Sequence, residues 1–233
     1  MNSDEMKVLA GRTAADALVK SGMKLGLGTG STAVHVINRV GELLAMGALK
    51  DIAVFPTSFQ SLMDCEKWKI PVFTLNAPEL SGGLDLTIDG ADEVDGENRC
   101  VKGGGGALLV EKIAAYASSS YALVADERKF VRSLGVSFPV PVEVVPEARL
   151  SAARSLAALG GEAVLRAALR KAGPVITEHG NLILDVRFKE GADPVFFEEE
   201  INRIPGVVEN GFFTKIRPVL YAARRDGTIE TRK

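Results

Sequence analysis

Two short apolar runs that end in charge, a row of four glycines and a helical pattern follow one another between Leu84 and Lys112. This order strongly limits the fold. The stretch reads LDLTIDGADEVDGENRCVKGGGGALLVEK. Leu84 to Ile88 predicts a strand ending in two carboxylates three apart, Asp89 and Asp92, with Gly90 and Ala91 between them. Arg99 to Val101 predicts a second strand, ending in Lys102. Gly103, Gly104, Gly105 and Gly106 follow, then a helix with Glu111 near its start. Strands that deliver charged groups at their carboxyl ends are how open α/β sheets present ligand sites. A capped turn at a strand end is the plainer account of the two aspartates. Lys102 and Glu111, arriving within the same segment, favour an active site.

Upstream, Met23 to Leu27 is a short apolar run entering GLGTGST, Gly26 to Thr32. A helix pattern follows through Val34, Val36, Ile37, Val40, Leu43 and Leu44. A helix N-terminus behind a glycine turn offers bare N–H groups and a dipole that favours an anion. Gly30 lies within that turn, and Thr29, Ser31 and Thr32 add hydroxyls. Ser31 stands where a dinucleotide fingerprint needs its third glycine, and no Gly-Lys-Ser/Thr follows. A monophosphate therefore suits the loop better than a pyrophosphate. Together with the central segment, this predicts an enzyme acting on a small phosphorylated, carbonyl-bearing molecule.

Ile52 to Phe55 and Pro71 to Leu75 predict two further strands, with a helix from about Phe59 to Trp68 between them. Thr57 and Ser58 either meet a ligand or cap that helix, and Ser58 reads as the cap. A helix to about Ser118 precedes a strand at Tyr121 to Ala125. Lys129 stands just past that strand, either facing an anion in the same crevice or solvated in a loop. A first helix, capped by Ser3 or Asp4 and running to about Lys20, carries Lys7, which the pattern alone reads as a surface lysine. Repeated strand–helix alternation implies a mostly parallel sheet with helices on both faces.

The character changes near Ser137, where FPVPVEVVP is extended and punctuated by proline. An Ala-rich helix from about Glu147 to Leu159, a Gly160-Gly161 stop and an ambiguous run from Ala163 to Leu169 follow. Val175 to Thr177 and Asn181 to Arg187 predict a hairpin about Glu178-His179-Gly180. Asp193-Pro194 opens another helix. We expect a small α+β domain over residues 138–211, with residues 212–233 returning to the first domain, 1–137.

Formal net charge is -2 at pH 7, which argues against nucleic acid as a partner. An anionic substrate must then be held by a local cluster of lysines, N–H groups and hydroxyls. Cys65 and Cys100 have no zinc spacing and read as reduced thiols. His35 and His179 read as structural, and nothing in the pattern requires a metal. No signal peptide and no apolar run long enough to span a bilayer is seen, so no membrane partner is expected. The expected location is the cytoplasm, or an organelle matrix if a transit peptide has been removed.

GLGTGST, IDGADEVD from Ile88 to Asp95, VKGGGGALLVEK from Val101 to Lys112, FPVPVEVVP, GNLILDV and IPGVVENGFF occur in this order and cover nearly the whole chain. Jointly they resemble the ribose-5-phosphate isomerase type A family, with Phe55-Pro-Thr-Ser58 closer to its plant-like branch. The resemblance implies interconversion of D-ribose 5-phosphate and D-ribulose 5-phosphate in the non-oxidative pentose phosphate pathway, with no metal or organic cofactor. It implies a Rossmann-like first domain, a smaller ferredoxin-like α+β domain and a homodimer or homotetramer. Carried over by motif, Glu111 is the general base, and Asp89, Asp92 and Lys102 surround the reacting end of the sugar. Thr29, Gly30, Ser31 and Thr32, with Gly90, Ala91, Gly103, Gly104 and Gly105, line the substrate. Lys7 and Lys129 match phosphate-side lysines. Val110 stands where the family commonly has Arg.

The chemistry asks for such groups. Aldose–ketose isomerisation needs a base that takes and returns a carbon-bound proton, and a carboxylate partly removed from water suits it. The enediolate needs donors already in place, which Lys102 and the glycine N–H groups can supply. Ring opening of the sugar falls to Asp89, with Asp92 hydrogen-bonding it. Two other classes share such a fold: sugar-phosphate sensors of transcriptional regulators, which usually carry an N-terminal helix-turn-helix, and CoA transferases, in which Glu111 would be an acyl nucleophile.

Overall fold

The computed structural model describes residues 1–189 and 192–233. Asn2 starts the first helix: its Oδ1 accepts the N–H groups of Asp4 and Glu5, each at 2.9 Å, and Glu5 Oε2 accepts the Asn2 N–H at 2.8 Å. This reciprocal capping box sets the cap at Asn2, one residue ahead of Ser3 and two ahead of Asp4, the caps expected from sequence. The helix is α1 (Ser3–Leu18). β1 (Lys24–Leu27), α2 (Ala33–Ala45), β2 (Ala53–Pro56), α3 (Phe59–Lys67) and β3 (Leu84–Gly90) follow. Next come β4 (Glu93–Val94), β5 (Cys100–Val101), α4 (Leu108–Tyr116) and β6 (Ser118–Asp126). A later run holds β7 (Val140–Val144), α5 (Arg149–Ala158), β8 (Glu162–Leu165), β9 (Leu182–Arg187), α6 (Pro194–Asn202) and β10 (Val207–Asn210). β11 (Phe212–Phe213), β12 (Val219–Ala223) and β13 (Ile229–Arg232) end the series.

The chain forms two units. Met1–Ala91, Val110–Lys129 and Ile216–Lys233 make the first; Asp92–Leu109 and Phe130–Lys215 make the second. The first unit is built on a six-stranded sheet in the order β13-β12-β6-β3-β1-β2. Only β13 is antiparallel to its neighbour. Leu25, Leu27, Val54, Leu86 and Ile88 pack with residues of α1 and α2 in one buried cluster. On the opposite face Thr87 Oγ1 donates to Ala114 O of α4 at 3.3 Å. A parallel sheet covered on both faces explains continuous apolar runs such as Tyr121 to Ala125 in β6 and Val219 to Ala223 in β12.

Three strand expectations need correction. Val175 to Thr177 forms no strand, and only the isolated antiparallel bridge of Ile176 with Leu182 stands for that arm of the expected hairpin. The run from Pro71 to Leu75 makes only one isolated parallel bridge, Val54 with Val72. Pro71 has no N–H to give a ladder, and a turn closed by Ala77 N–H on Thr74 O follows at once. The strand ending in Lys102 is real but lies outside the parallel sheet. β5 joins β4 and β11 in a small antiparallel sheet of the second unit. Asp95 causes this: its carboxylate accepts the N–H groups of Glu97 and Arg99 at 2.9 and 3.0 Å. Asn98 turns with φ 61°, and the chain doubles back as a hairpin. Antiparallel strands can be joined so briefly; parallel ones cannot.

The second unit also holds an antiparallel sheet in the order β10-β7-β9-β8. Its elements run β7-α5-β8-β9-α6-β10, the ferredoxin-like arrangement. Alternation sorts its faces. Val140, Val142, Val144, Leu182, Leu184 and Val186 pack with Ala152, Leu156 and Ile201 of the helices. Pro141, Ile183 and Asp185 occupy the alternate positions. The ambiguous run after Gly161 opens as strand β8. Among the described residues no helix is long and apolar enough to cross a membrane.

Candidate active site

In the first unit the site is assembled where β1, β2 and β3 end. Asp89 is completely buried near the end of β3. Its Oδ1 accepts the Thr29 N–H at 3.1 Å and the Gly90 N–H at 2.7 Å. Gly28 makes this approach possible: a Cβ there would lie 2.6 Å from the Asp89 Cα and 2.0 Å from its Oδ1. Thr29 Oγ1 lies 2.8 Å from Thr57 Oγ1 and donates to Ser58 Oγ at 2.6 Å. The loops after β1 and β2 are thus tied through hydroxyls. Ser58 also caps α3, accepting the Ser61 N–H at 3.1 Å, which is the role the sequence assigns it.

Gly30 adopts φ 105°, and Ser31 is exposed behind it. Thr32 holds the N-cap position of α2, but its side chain makes no cap bond. The loop therefore brings a hydroxyl and a helix N-terminus to one place, as anion binding requires. Lys7 projects from α1 and pairs with Asp4 at 3.3 Å. It also lies near the start of α2. His35 has its pKa held down first by burial and then by the Lys7 charge. Lys129 closes the single turn after β6 and is partly exposed. Glu111 is buried in the first turn of α4.

The second unit holds Asp92, Lys102 and the glycine loop. Asp92 N–H donates to Val101 O at 2.8 Å, which sets the aspartate beside the end of β5. Its Oδ2 accepts the Gly104 N–H at 2.8 Å. Lys102 is buried; its N–H donates to Gly211 O at 2.9 Å and its Nζ stands 5.9 Å from the Phe213 ring centroid. Gly103 has φ 101°, and Gly106 N–H returns to Gly103 O at 2.9 Å, closing the glycines into a tight turn. Gly105 sits exposed at its tip.

Three groups of this unit have no signal in the sequence. Glu93 is buried, and its carboxylate accepts the N–H groups of Gly135 and Phe138 at 2.7 and 2.6 Å. Burial pushes its pKa up; the two N–H bonds oppose this, and the Asp92 charge adds to it. Arg166 donates to the carbonyls of Gly103 and Gly104, and Asp185 holds Arg166. Their partners lie far along the chain, where no local pattern reaches. Among the described residues no three His, Cys, Asp or Glu side chains gather as a metal site.

The profile of the ribose 5-phosphate isomerase A (phosphoriboisomerase A) family matches residues 53–227. Ribose-5-phosphate isomerase A of Treponema denticola is 48% identical over 99% of each chain. That of Thermosynechococcus vestitus is 48% identical over 93% of this chain and 90% of its own. Among solved structures, ribose 5-phosphate isomerase A of Methanocaldococcus jannaschii superposes with a TM-score of 0.92 at 41% identity, covering all of both chains. A D-ribose-5-phosphate isomerase in complex with phospho-erythronic acid gives a TM-score of 0.94 at 39% identity, also over all of both chains. By sequence along its length and by fold, the chain belongs to the ribose 5-phosphate isomerase A family.

Proposed function

We propose that this chain is an aldose–ketose isomerase that interconverts D-ribose 5-phosphate and D-ribulose 5-phosphate through an enediolate, within the pentose phosphate pathway. The observation that carries the reading is its full-length likeness to an isomerase solved with phospho-erythronic acid. That ligand is a phosphorylated sugar acid. Its planar, negatively charged two-oxygen group has the character of an enediolate.

The residues take the following parts. Asp89 moves the proton that opens the sugar ring, and Asp92 hydrogen-bonds the open chain. Glu111 takes the proton from C2 of the aldose. The electron pair forms the C1–C2 double bond, and negative charge collects on the C1 oxygen. Lys102 and the Gly105 N–H at the tip of the glycine loop stabilise that charge. A proton then passes from the C2 oxygen to the C1 oxygen, Glu111 returns its proton to C1, and the ketose results. The burial of Glu111 and Lys102 supports these parts, because charges act more strongly where water is excluded. Gly90, Ala91, Gly103, Gly104 and Gly105 line the sugar. Thr29, Gly30, Ser31 and Thr32 hold the phosphate, with Lys7 and Lys129 neutralising it. The lysine near the start of α2 and the uncapped helix end support that placement.

A cytoplasmic location goes with this reading, and the ferredoxin-like unit serves assembly into a homodimer or homotetramer. The test of function is ribulose 5-phosphate formation from ribose 5-phosphate by purified protein in excess EDTA. Fast turnover that survives the chelator is expected. Folded protein without turnover would remove the isomerase reading.

A further inference from the structure

Arg166 follows β8, and its main chain is fixed before its side chain acts. Its N–H donates to Ile183 O at 2.9 Å, and its carbonyl accepts the Val175 N–H at 2.9 Å. Asp185, on the face of β9 opposite the helices, grips the guanidinium with two bonds: Nε to Oδ2 at 2.9 Å and Nη2 to Oδ1 at 2.5 Å. Nη1 is left to meet the glycine loop. It donates to Gly103 O at 3.0 Å and to Gly104 O at 3.1 Å. A planar fork can make both sets of bonds at once, which an ammonium cannot.

The consequence follows from peptide geometry. The C=O and N–H of a trans peptide point in opposite directions, and no peptide of the described chain is cis. Two successive carbonyls held toward Arg166 turn the N–H groups of Gly104 and Gly105 to the other side. Gly104 N–H is found there, on Asp92 Oδ2 at 2.8 Å. A positive charge behind both carbonyls also polarises the two peptides and strengthens their N–H donors. The other neighbours that a Cβ on Gly103 or Gly106 would meet, Leu108, Pro141 and Ile183, are apolar and cannot orient a peptide.

We propose that Arg166, clamped by Asp185, is a positioning residue of the isomerase. It fixes the donor face of the glycine loop and, through Gly104, the carboxylate of Asp92. This rests on the isomerase reading above. The test compares the wild type with Arg166→Gln and Asp185→Asn for kcat, KM, inhibition by phospho-erythronic acid, inhibition by inorganic phosphate and melting temperature. In Arg166→Gln, kcat should fall on the order of tenfold to a hundredfold, the cost of misplacing groups at a reacting centre. The inhibition constant for phospho-erythronic acid should rise by a similar factor, while inhibition by inorganic phosphate stays unchanged. Asp185→Asn should move the same quantities in the same direction and by less. Unchanged kcat and unchanged phospho-erythronic acid inhibition in folded Arg166→Gln would overturn the proposal. An equal loss of phosphate inhibition would also overturn it, since that marks general damage. If Arg166→Gln fails to fold, Asp185→Asn decides between the same outcomes by the same criteria. Active wild type with an unaffected variant removes only this inference; inactive wild type removes the isomerase reading and this inference with it.

Discussion

Gly28 and Asp89 depend on each other. The carboxylate can accept the Thr29 N–H only because nothing projects from position 28, where a Cβ would sit 2.6 Å from the Asp89 Cα. Gly28→Ala must therefore push β3 or the loop aside. Overpacking of this kind costs about 1–3 kcal/mol. We expect a lower denaturant midpoint and, because Asp89 moves, a lower kcat in the molecules that stay folded. An unchanged midpoint would show that the loop yields without cost. Glu111→Gln asks a different question, since it keeps shape and removes a base. Turnover should fall by at least about a hundredfold, the lower end of what a positioned general base contributes, with phosphate inhibition retained. Turnover like the wild type's would reassign the base. Asp89, Asp92, Lys102 and Glu111 can be picked out in the sequence because each charge interrupts or ends a short apolar run. The hold of Arg166 on the glycine loop cannot, because its partners stand 62 and 63 residues away.

Elements are readable to the extent that their causes are local. The Asp193 cap of α6, with Pro194 behind it, and the Ser58 cap of α3 follow from residues next to each other. The hairpin of β4 and β5 is equally local, but its strands are two residues each, too short to show a period. The pairing of α1 with α2 is not local at all. Arg12 on α1 donates to Glu42 on α2 at 2.6 Å, and Arg39 bridges Glu42 at 2.8 Å and Asp16 at 2.6 Å. These bonds, Arg12 first and Arg39 next, hold the Glu42 pKa down to about 2. A carboxylate whose pKa is lower in the folded state stabilises the fold above its ordinary pKa, and the contribution is lost as pH falls toward 2. Glu42→Gln should thus melt below the parent at neutral pH. The difference should close as pH falls from the ordinary carboxylate range to about 2. It should also shrink in high salt, because these groups are near water. A difference that persists at pH 2 would place the effect in packing instead.

At the scale of the whole molecule, the chain passes between its two units after Ala91, Leu109, Lys129 and Lys215. The residues of the proposed chemistry are divided accordingly. Asp89 and Glu111 belong to the first unit, Asp92 and Lys102 to the second. A change of composition along a sequence marks where one stretch meets another. It marks the change near Ser137, but nothing in composition assigns Asp92–Leu109 to the second unit, and that part of the division is invisible before the fold is known. The order of the motifs, by contrast, is legible end to end, and it carries the family. The proposed chemistry is best tested on the substrate's own hydrogens. If a carboxylate takes the C2 proton and returns it to C1, that proton spends time on an acid that exchanges with solvent. Isomerisation of ribose 5-phosphate in D2O should then place deuterium at C1 of ribulose 5-phosphate. After equilibration deuterium should also appear at C2 of the recovered ribose 5-phosphate, read by proton NMR and mass spectrometry. A direct hydride shift between C2 and C1 places none. Complete equilibration without deuterium, in a preparation that turns over, would show that the hydrogen passes from C2 to C1 without reaching solvent and would overturn the exchanging-carboxylate step.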